Sequence, residues 1–596
     1  MKNKVNLKKV SDVVAEVLIE EKVSHVFVIS GGASLHLIHS LADNENIQYV
    51  CNHNEQAAAM AADGYSRVSG NIGVALTTSG PGATNLITGI CCSYYDSVPS
   101  LFITGQVSTF RMKGDTGVRQ IGFQETPIVD VVKSITKYAY TINHPSEIKY
   151  QIQKALHIAR SGRPGPVLID IPDDLQRVNI ESSLLKNFQP DIEQEKGNLT
   201  DTILSIMSMI KKSKRPVIIA GWGIHLSKTQ SDFIKFAEDL NLPIALTWGA
   251  ADLISFDHEL YIGTFGTHGN RHANFAVQNA DLIISLGSRL DTKSTGSPVN
   301  TFARKAKRIM VEIDINELNK FKKFDLKFDK LIHCDLKDFF DEVQKINIQK
   351  FFNKHDDWVN QINQWQEAFN AFDDRKNLST TQVNPYNFVD RISDNLKENS
   401  KVFIDTGCSI AWFMQSIRTP KTVRVFHDFN NTAMGWALPA SIGGYYADLG
   451  KSPIITIVGD GGFMMTSYEL ATAMHNNIPL KIFIMNNQGY SMIQQTQDQW
   501  LDSNYYASSK QGGISFPDFQ KLSRAYNFKY FELKDDSDLH LVDEIFSYPK
   551  ALICNVFIDN DFRVTPQVKF GRPNEDMGPL LPREMFNANM IIDPIK

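Results

Sequence analysis

Residues 454–490 read IITIVGDGGFMMTSYELATAMHNNIPLKIFIMNNQGY, and they are the most informative part of the sequence for its fold. Its two apolar runs end in polar turns, GDGG at 459–462 and NNQG at 486–489, with a helical stretch between them. A strand, a helix and a second strand in this order predict two parallel strands joined by a crossover helix. Open parallel sheets bind ligands at the carboxyl ends of their strands, so both turns are expected at one site.

The two turns carry oxygen atoms suited to a hard metal ion. Asp460 offers a carboxylate, Asn487 offers an amide oxygen, and Gly489 can turn its backbone carbonyl inward. Such a small set of oxygen ligands suits Mg²⁺ that is shared with phosphate oxygens. The amides of Gly461 and Gly462 open the next helix and predict an anion site. GDGG alone is more often only a tight turn, but the paired asparagines beyond it favour the metal site.

The composition excludes several classes of protein. The chain has 596 residues, 42% hydrophobic and 21% charged, with a net charge of −5. This charge argues against a nucleic-acid surface, and no apolar run reaches the roughly 18 residues of a membrane span. The N-terminal segment lacks the apolar stretch of a signal peptide. Six scattered cysteines without a CxxC pair predict reduced thiols in the cytoplasm.

Alternating β-branched runs and helical stretches predict an α/β protein with parallel sheets. Polar stretches at 178–199 and 351–385 are predicted linkers that divide the chain into three units and a tail. The first and third units are similar in layout and flank a central Rossmann-like unit, and the tail is expected to be irregular. The predicted boundaries are 1–185 for the first unit, 195–350 for the central unit, 380–565 for the third unit and 566–596 for the tail.

The GDG and NN motifs, with 24 residues between them, resemble the fingerprint of thiamine-diphosphate enzymes. Such an enzyme also needs a carboxyl group at a ring nitrogen of the aminopyrimidine. Glu55 ends the run IQYVCNHNE and precedes an alanine-rich helix, where packing can desolvate the carboxyl group so that it keeps a proton to exchange. The alternative is a solvated glutamate that interacts favourably with the helix dipole.

Nearly the whole chain, roughly residues 5–575, resembles acetolactate synthase and its relatives. The matching stretches, in the family's order, include GGASLHLIHSL, HNEQAAAMAADGYSRVSG, TSGPGATNLITGI, RPGPVLIDIP, GTHGNRHANFAVQNADLIISLGSRLD and NTAMGWALPASIGG. The resemblance implies pyrimidine-binding, Rossmann-like and diphosphate-binding domains in that order. It also implies a homodimer or homotetramer, because the family places the activating glutamate in one subunit and the metal site in its partner. A separate small regulatory subunit is compatible with this resemblance.

The resemblance implies a role for each residue of the third unit's site. Asp460 and Asn487 would hold Mg²⁺ together with the Gly489 carbonyl. Met434 would be the apolar wedge that bends the cofactor, with plain core packing as its alternative. The residues beside the diphosphate would be Gly407, Ser409, Gly461 and Gly462.

The first unit supplies the remaining residues of the implied reaction centre. Glu55 would activate the cofactor, and Gly32 would line the reacting face. Gln124 follows Phe123 and resembles the family's active-site glutamine, with a surface-loop position as its alternative.

The central unit raises the question of FAD, which acetolactate synthases carry without net redox chemistry. Glycines at strand ends let the backbone approach a pyrophosphate, although single glycines are weak signals. An empty domain or a bound adenine nucleotide are the alternatives. The residues on the family's FAD stretches are Gly221, Gly223, Gly266, His268, Gly269, Gly287, Ser288, Arg289, Asp314 and Asp335.

Three departures from the family pattern concern the substrate pocket. Lys293 stands where the family has an arginine that helps to define the substrate channel, and lysine keeps the charge but loses the fork geometry. Thr496 falls where the family has a tryptophan near the acceptor, which should widen the site. Asp173 replaces a lysine and reverses the charge. Each change alone could be neutral drift, but together they favour an acceptor other than a second small 2-oxo acid.

The implied reaction is decarboxylation of a 2-oxo acid, with pyruvate favoured, followed by transfer of the remaining fragment to a carbonyl acceptor. A first reading is acetolactate synthesis, and a second is carboligation to a larger acceptor such as a keto-sugar of cell-surface polysaccharide biosynthesis. Simple 2-oxo acid decarboxylation is a third. An inactive paralogue is disfavoured because Glu55, Asp460 and Asn487 are all present.

Overall fold

The computed structural model describes residues 7–190, 199–369, 378 and 380–595. The predicted starts of the first and central units, at 1 and 195, and the last residue of the tail lie outside the described residues. Three six-stranded parallel sheets follow one another along the chain, as the α/β prediction requires. Among the described residues, none of the helices has the length and apolar character needed to cross a bilayer.

The N-terminal unit contains the first parallel sheet, which has strand order β3-β2-β4-β5-β7-β6. A short antiparallel pair, β1 with β8, joins the start of this unit to its end. The strands are β1 Leu7–Lys9, β2 His25–Val28, β3 Gln48–Cys51, β4 Gly73–Thr77, β5 Ser100–Gln106, β6 Tyr138–Thr141, β7 Val167–Pro172 and β8 Asn179–Glu181. The α-helices are Val10–Glu20, Leu35–Ala42, Glu55–Ser69, Pro81–Thr84, Ile87–Tyr95, Ile128–Val132, Ile148–Arg160 and Asp173–Gln176.

The central unit has strand order β11-β10-β9-β12-β13-β14. In chain order this is 3-2-1-4-5-6, the arrangement of dinucleotide-binding sheets, which confirms the Rossmann-like prediction. The strands are β9 Pro216–Ala220, β10 Ile244–Leu246, β11 Tyr261–Thr264, β12 Leu282–Leu286, β13 Lys307–Glu312 and β14 Lys330–His333. The α-helices are Thr200–Lys212, Gly223–Leu226, Gln230–Leu240, Arg271–Asn279, Thr292–Thr295, Ile315–Asn319, Leu336–Val343 and Asp356–Ala368.

The C-terminal unit has strand order β16-β15-β17-β18-β20-β19. Counted within each unit, this order and that of the first sheet are both 2-1-3-4-6-5, so the predicted likeness of the two units is confirmed. The strands are β15 Lys401–Ile404, β16 Arg424–Phe426, β17 Ile454–Gly459, β18 Lys481–Asn486, β19 Lys529–Leu533 and β20 Leu552–Phe557. The α-helices are Pro385–Asn395, Cys408–Ser416, Ala437–Asp448, Asp460–Thr466, Leu470–His475, Ser491–Trp500, Phe519–Ala525, Leu541–Ser547 and Arg583–Asn589.

Two segments have more structure than the sequence predicted. The polar stretch 351–385 was expected to be a linker, but it contains the helix Asp356–Ala368, which buries Trp358, Ile362 and Trp365 against the central unit. The tail was expected to be irregular, but its helix Arg583–Asn589 buries Phe586 in the same core. In both segments the polar majority conceals a few apolar side chains that a helix brings to one face.

The N- and C-terminal units of one chain meet through two helices, Glu55–Ser69 and Ala437–Asp448. A Cβ at Gly64 would overlap the Ala440 carbonyl oxygen, and a Cβ at Gly443 would overlap the Ala61 carbonyl oxygen. The glycines therefore allow the two helix backbones to touch.

Replacing Gly64 with alanine should push these helices apart. Overpacking of a tight contact costs about 1–3 kcal/mol, so we expect a lower midpoint of urea unfolding at fixed protein concentration. Lys212→Ala, at an exposed helix position away from this contact, is the control and should leave the midpoint nearly unchanged. Equal midpoints for Gly64→Ala and the wild type would contradict this account of the interface.

Candidate functional site

A cavity of about 370 Å³ opens at the carboxyl ends of β15, β17 and β18. Pairing of β17 with β18 places Gly459 opposite Met485, so the residues that follow both strands reach the same edge. The predicted site residues that line this cavity are Gly407, Ser409, Met434, Asp460, Gly461, Gly462, Asn487 and Gly489. The structure thus brings together all residues that the sequence placed at the metal and the diphosphate.

Asp460 begins the helix that follows β17 and is 2% exposed. One carboxylate oxygen accepts a hydrogen bond from the Gly461 amide at 2.7 Å, and the other accepts one from the Gly489 amide at 3.3 Å. Burial raises the pKa of Asp460 to about 7. Backbone amides are the only hydrogen-bond donors to this carboxylate in the described part of the chain, so it retains the capacity to bind a cation.

Asn487 and Gly489 complete the oxygen set. The Asn487 side-chain nitrogen donates to the Ser491 hydroxyl, so the amide oxygen is the side-chain atom that could coordinate a metal ion. The Asn487 carbonyl accepts from the Asn560 side chain at 2.7 Å. A Cβ at Gly489 would come within 3.0 Å of the Ser508 carbonyl oxygen, so a side chain would strain this turn.

The glycines after Asp460 permit close packing around the cavity. A Cβ at Gly461 would overlap the Tyr490 ring and lie 3.0 Å from the Met434 methyl carbon. A Cβ at Gly462 would overlap the carboxylate of Asp405, a residue whose pKa is raised to about 7 by burial. That carboxylate accepts from the Gly435 amide at 2.8 Å and thereby holds the backbone beside Met434.

Two further features of the cavity suit an anionic ligand with an apolar ring. Gly407 has a φ of +91°, and a Cβ there would meet no atom within 4 Å, so its backbone faces open space. Trp412 also lines the cavity, and its buried indole nitrogen has no hydrogen-bond partner among the described residues.

A second cavity, of about 220 Å³, lies at the carboxyl ends of the central strands, where the strand order reverses. Of the residues on the predicted FAD stretches, its lining includes Gly223, His268, Gly287, Ser288, Arg289 and Asp335. Trp222 lines it too, and its buried indole nitrogen has no hydrogen-bond partner in the part of the chain that is described.

The other four residues on the predicted FAD stretches have different surroundings and do not line this cavity. A Cβ at Gly221 would overlap the Gly287 carbonyl oxygen, and one at Gly266 would overlap the Lys293 carbonyl oxygen. Gly269 is similarly crowded by the backbone of Phe265. These three glycines allow close backbone packing. Asp314 caps the helix Ile315–Asn319 and accepts a hydrogen bond from Arg163 at 3.0 Å.

Four residues line both cavities: Trp248, His268, Lys293 and Thr432. Burial, together with the nearby charge of Lys293, lowers the pKa of His268 to about 3, so this imidazole is neutral at physiological pH. Desolvation also lowers the pKa of Lys293. The wall between the cavities therefore presents Lys293 as its cationic group.

Glu55, Gln124 and Gly32 lie at the carboxyl edge of the N-terminal sheet and line neither cavity of the described chain. Glu55 is half-buried at the start of its helix, and its carboxylate accepts a hydrogen bond from the Asn85 side chain at 2.8 Å. Gln124 is exposed, has a φ of +63° and packs against Gly80. Gly32 is exposed, and a Cβ there would meet no atom within 4 Å.

The two remaining pocket residues also lie outside both cavity linings. The Thr496 hydroxyl donates to the Met492 carbonyl at 3.1 Å on an exposed helix face. Asp173 accepts a hydrogen bond from the Ser108 hydroxyl at 2.5 Å. Of the three departures from the family pattern, only Lys293 faces a cavity.

Sequence reasoning missed Asp405, Trp248 and Arg163, which line or support the cavities. Asp405 ends the strand of the FIDTG run, and an acidic residue at a strand end is a signal that could have found it. Arg163 reaches the central cavity from the N-terminal unit, which local sequence does not reveal.

Comparison with known proteins gives a consistent result along the chain. Three family models match: the thiamine pyrophosphate enzyme N-terminal TPP binding domain at residues 8–131, the central domain at 203–342 and the C-terminal TPP binding domain at 405–553. The acetolactate synthase large subunit of Lactococcus lactis is 32% identical, over 95% of this chain and 95% of its own. A probable acetolactate synthase large subunit of Methanococcus aeolicus is 33% identical, over 92% and 90% of the two chains. Acetolactate synthase 1, chloroplastic, of Nicotiana tabacum is 31% identical, over 96% and 85%.

Gly462→Ala should disturb the cavity without directly removing a ligand atom. The added methyl group would displace the Asp405 carboxylate and hence the backbone at Gly435. We expect at least tenfold weaker binding of thiamine diphosphate, measured by quenching of tryptophan fluorescence in the cavity. Met464→Ala, on the same helix but partly exposed, is the control. Unchanged affinity in Gly462→Ala would refute the proposed packing constraint.

Proposed function

The chain belongs to the acetolactate synthase family of thiamine pyrophosphate enzymes. From that membership we propose how the group around Glu55 and the group around Asp460 cooperate. It is a thiamine-diphosphate-dependent enzyme that decarboxylates a 2-oxo acid and joins the remaining fragment to a carbonyl acceptor. The observation that carries the proposal is the buried Asp460 carboxylate, which shares one cavity with Asn487 and Gly489.

The cavity of the C-terminal unit would hold thiamine diphosphate and Mg²⁺. Asp460, Asn487 and the Gly489 carbonyl supply the oxygen ligands that Mg²⁺ prefers. The Asp460 carboxylate has backbone donors and, among the described residues, no cationic partner, which fits a metal ion. Gly407 and Ser409 would lie by the diphosphate, and Met434 would support the apolar part. When bound, thiamine diphosphate supplies the electron sink for loss of CO₂ from the 2-oxo acid.

Glu55 would act as the acid–base group of the cofactor's aminopyrimidine. Its position at the helix start leaves the carboxylate half-buried, with one hydrogen bond from Asn85. A carboxyl group is among the side chains that transfer protons when they lie within hydrogen-bond reach of the reacting atom. Gln124 and Gly32, at the same sheet edge, would face the reacting atoms.

A second copy of the chain would complete the site. Asp460 lines the cavity of the C-terminal unit, whereas Glu55 lies in the N-terminal unit and lines neither cavity of the described chain. The loop that carries Gln124 also exposes Phe123 (86% exposed) and Phe110 (73% exposed), which suits an interface. We therefore propose a homodimer, or a homotetramer built from it, with Glu55 of one protomer beside Asp460 of its partner. The family resemblance is also compatible with a separate small regulatory subunit.

The central cavity would bind FAD. Its place at the reversal of a 3-2-1-4-5-6 strand order is where dinucleotides bind in such sheets. The Trp222 indole nitrogen is a buried donor whose hydrogen-bond partner is absent from the described residues, as expected of a group that awaits a ligand. The shared wall containing Lys293 would place this ligand next to the cavity of the C-terminal unit.

Pyruvate is the proposed donor. A second pyruvate is the first candidate acceptor for the transfer step, and a larger carbonyl compound is the second candidate. Residues 491–493 of the helix Ser491–Trp500 line the cavity of the C-terminal unit, and Thr496 lies one turn further on. Thr496 lies outside the cavity lining, and its short side chain bonds back to Met492, so position 496 supplies no ring beside the cavity. Lys293 would attract an anionic substrate group.

The remaining proposals concern cellular context and domain limits. All six cysteines are free, which suits the reducing cytoplasm. We propose that the three domains keep the limits 1–185, 195–350 and 380–565. The helix Asp356–Ala368, beyond the second limit, and the described part of the tail 566–596 both pack on the central unit.

Turnover of pyruvate with thiamine diphosphate, Mg²⁺ and FAD tests the function, with products identified by mass spectrometry. CO₂ release is expected because the donor half-reaction needs only the thiamine site. Acetolactate as the main product would favour acetolactate synthesis over the larger acceptor. CO₂ release with little acetolactate, and a new product on addition of a keto-sugar, would favour the larger acceptor.

Glu55→Gln is the control for this assay and should lower CO₂ release by at least a hundredfold, because glutamine cannot exchange the proton. Thiamine diphosphate should still bind, because glutamine keeps the size of the Glu55 side chain and the residues that line the cavity of the C-terminal unit are unchanged. Full activity in Glu55→Gln would overturn the assignment of Glu55.

Trp222→Phe tests the FAD proposal, because it keeps a ring in the central cavity but removes the indole donor. Loss of one hydrogen bond is worth about 0.5–1.5 kcal/mol, so the Kd for FAD should rise several-fold in a flavin fluorescence titration. Trp500→Phe, at an exposed position away from this cavity, should leave the Kd unchanged. Wild-type protein that takes up no FAD would contradict the proposal itself.

A further inference from the structure

Glu469 is a fully buried carboxylate that the proposed chemistry does not use. It lies nine residues after Asp460, at the end of the short turn Ser467–Glu469, and its exposed fraction is 0%. Burial of a carboxylate is costly unless hydrogen bonds compensate for the lost water. The donors that compensate here come largely from the N-terminal unit of the same chain.

The contacts of Glu469 converge on the turn that follows β3. One carboxylate oxygen accepts from the His53 backbone amide at 2.8 Å, and the other accepts from the Asn52 side chain at 2.9 Å. The Thr472 hydroxyl lies 2.7 Å from this second oxygen and 3.2 Å from the Cys51 carbonyl. Three successive residues of the turn are therefore tied to the C-terminal unit.

This turn leads directly into Glu55. The Asn54 side chain accepts from the Gln56 amide and caps the helix, and Glu55 is the first residue of that helix. Any displacement of residues 51–54 therefore moves the start of the helix. The two carboxylates also share surroundings: the pKa of Tyr468 is raised to about 12 by burial and, further, by the charges of Glu469 and Glu55.

We infer that Glu469 is a positioning residue, which holds the turn at residues 51–54 and thereby sets where the Glu55 carboxylate is presented. The inference rests on the proposed role of Glu55. Charge-assisted hydrogen bonds are short and directional, so a carboxylate with two donors on one turn restrains that turn more tightly than apolar packing would. A role limited to holding the two units together is the competing account.

Glu469→Gln is the variant that tests the inference. Glutamine preserves the size of the side chain, but its amide group turns a donor toward either the His53 amide or the Asn52 side chain, both of which are donors. In protein without cofactors, amide hydrogen exchange of residues 51–56 should accelerate at least tenfold, because the turn loses a hydrogen-bond acceptor. Exchange of the neighbouring β2 should stay unchanged.

The cofactor-loaded protein supplies the second measurement. Deuterium exchange at the reactive C2 position of bound thiamine diphosphate should slow by about ten- to hundredfold, as misplacement of a catalytic group does. The Kd for Mg²⁺ and thiamine diphosphate should remain that of the wild type, since Glu469 does not line that cavity. His475→Gln, exposed at the end of the following helix, is the matched control for both measurements.

A double-mutant cycle separates this inference from the proposed function. In a Glu55→Gln background, adding Glu469→Gln should cause no further loss of C2 exchange, because Glu469 acts through Glu55. Additive losses, or a lower unfolding midpoint with normal C2 exchange in Glu469→Gln, would overturn the positioning role and leave a structural one. Normal C2 exchange in Glu55→Gln alone would instead refute the proposed function.

Discussion

The parallel pairing of β17 with β18 is the constraint on which the site depends. The register places Gly459 opposite Met485, so Asp460 and Asn487 emerge at one sheet edge although 26 residues separate them. Because both strands are buried, a shift of one residue would turn their apolar side chains to the wrong faces. The hydrophobic core of the C-terminal unit thus determines where Asp460 and Asn487 lie relative to each other.

A second requirement is close contact between the outer units of the chain. Glycines allow two helix backbones to touch, and a buried ion-pair network lies beside them. Arg67 donates to Asp63 at 2.7 Å and to Asp96 at 2.8 Å, and it also reaches the His427 carbonyl of the C-terminal unit. Such buried charges are unfavourable unless every partner is in place, so this contact admits few alternative arrangements.

The central unit connects these parts through shared surfaces. Its cavity meets the cavity of the C-terminal unit at the wall that contains Lys293 and His268. The tail packs against the same region, where the Asn574 side chain donates to the Ser294 carbonyl at 2.9 Å and the Val568 amide donates to the Thr267 carbonyl at 2.8 Å. Residues far apart in the chain therefore surround Lys293, the proposed contact for an anionic substrate group. This explains why local motifs indicate the proposed cofactor site more readily than the substrate.

From strand-end motifs and their spacing, which are local properties, the sequence alone predicted the α/β class, the three units and the position of Asp460 and Asn487 at one sheet edge. It did not reveal Glu469 or Asp405, whose importance comes from partners that folding brings to them. Nor did it distinguish Gly221, which allows backbone packing, from Gly407, which lines a cavity, because both follow strands. These differences emerge only on folding, since burial and hydrogen bonding between distant segments depend on how the sheets pack together.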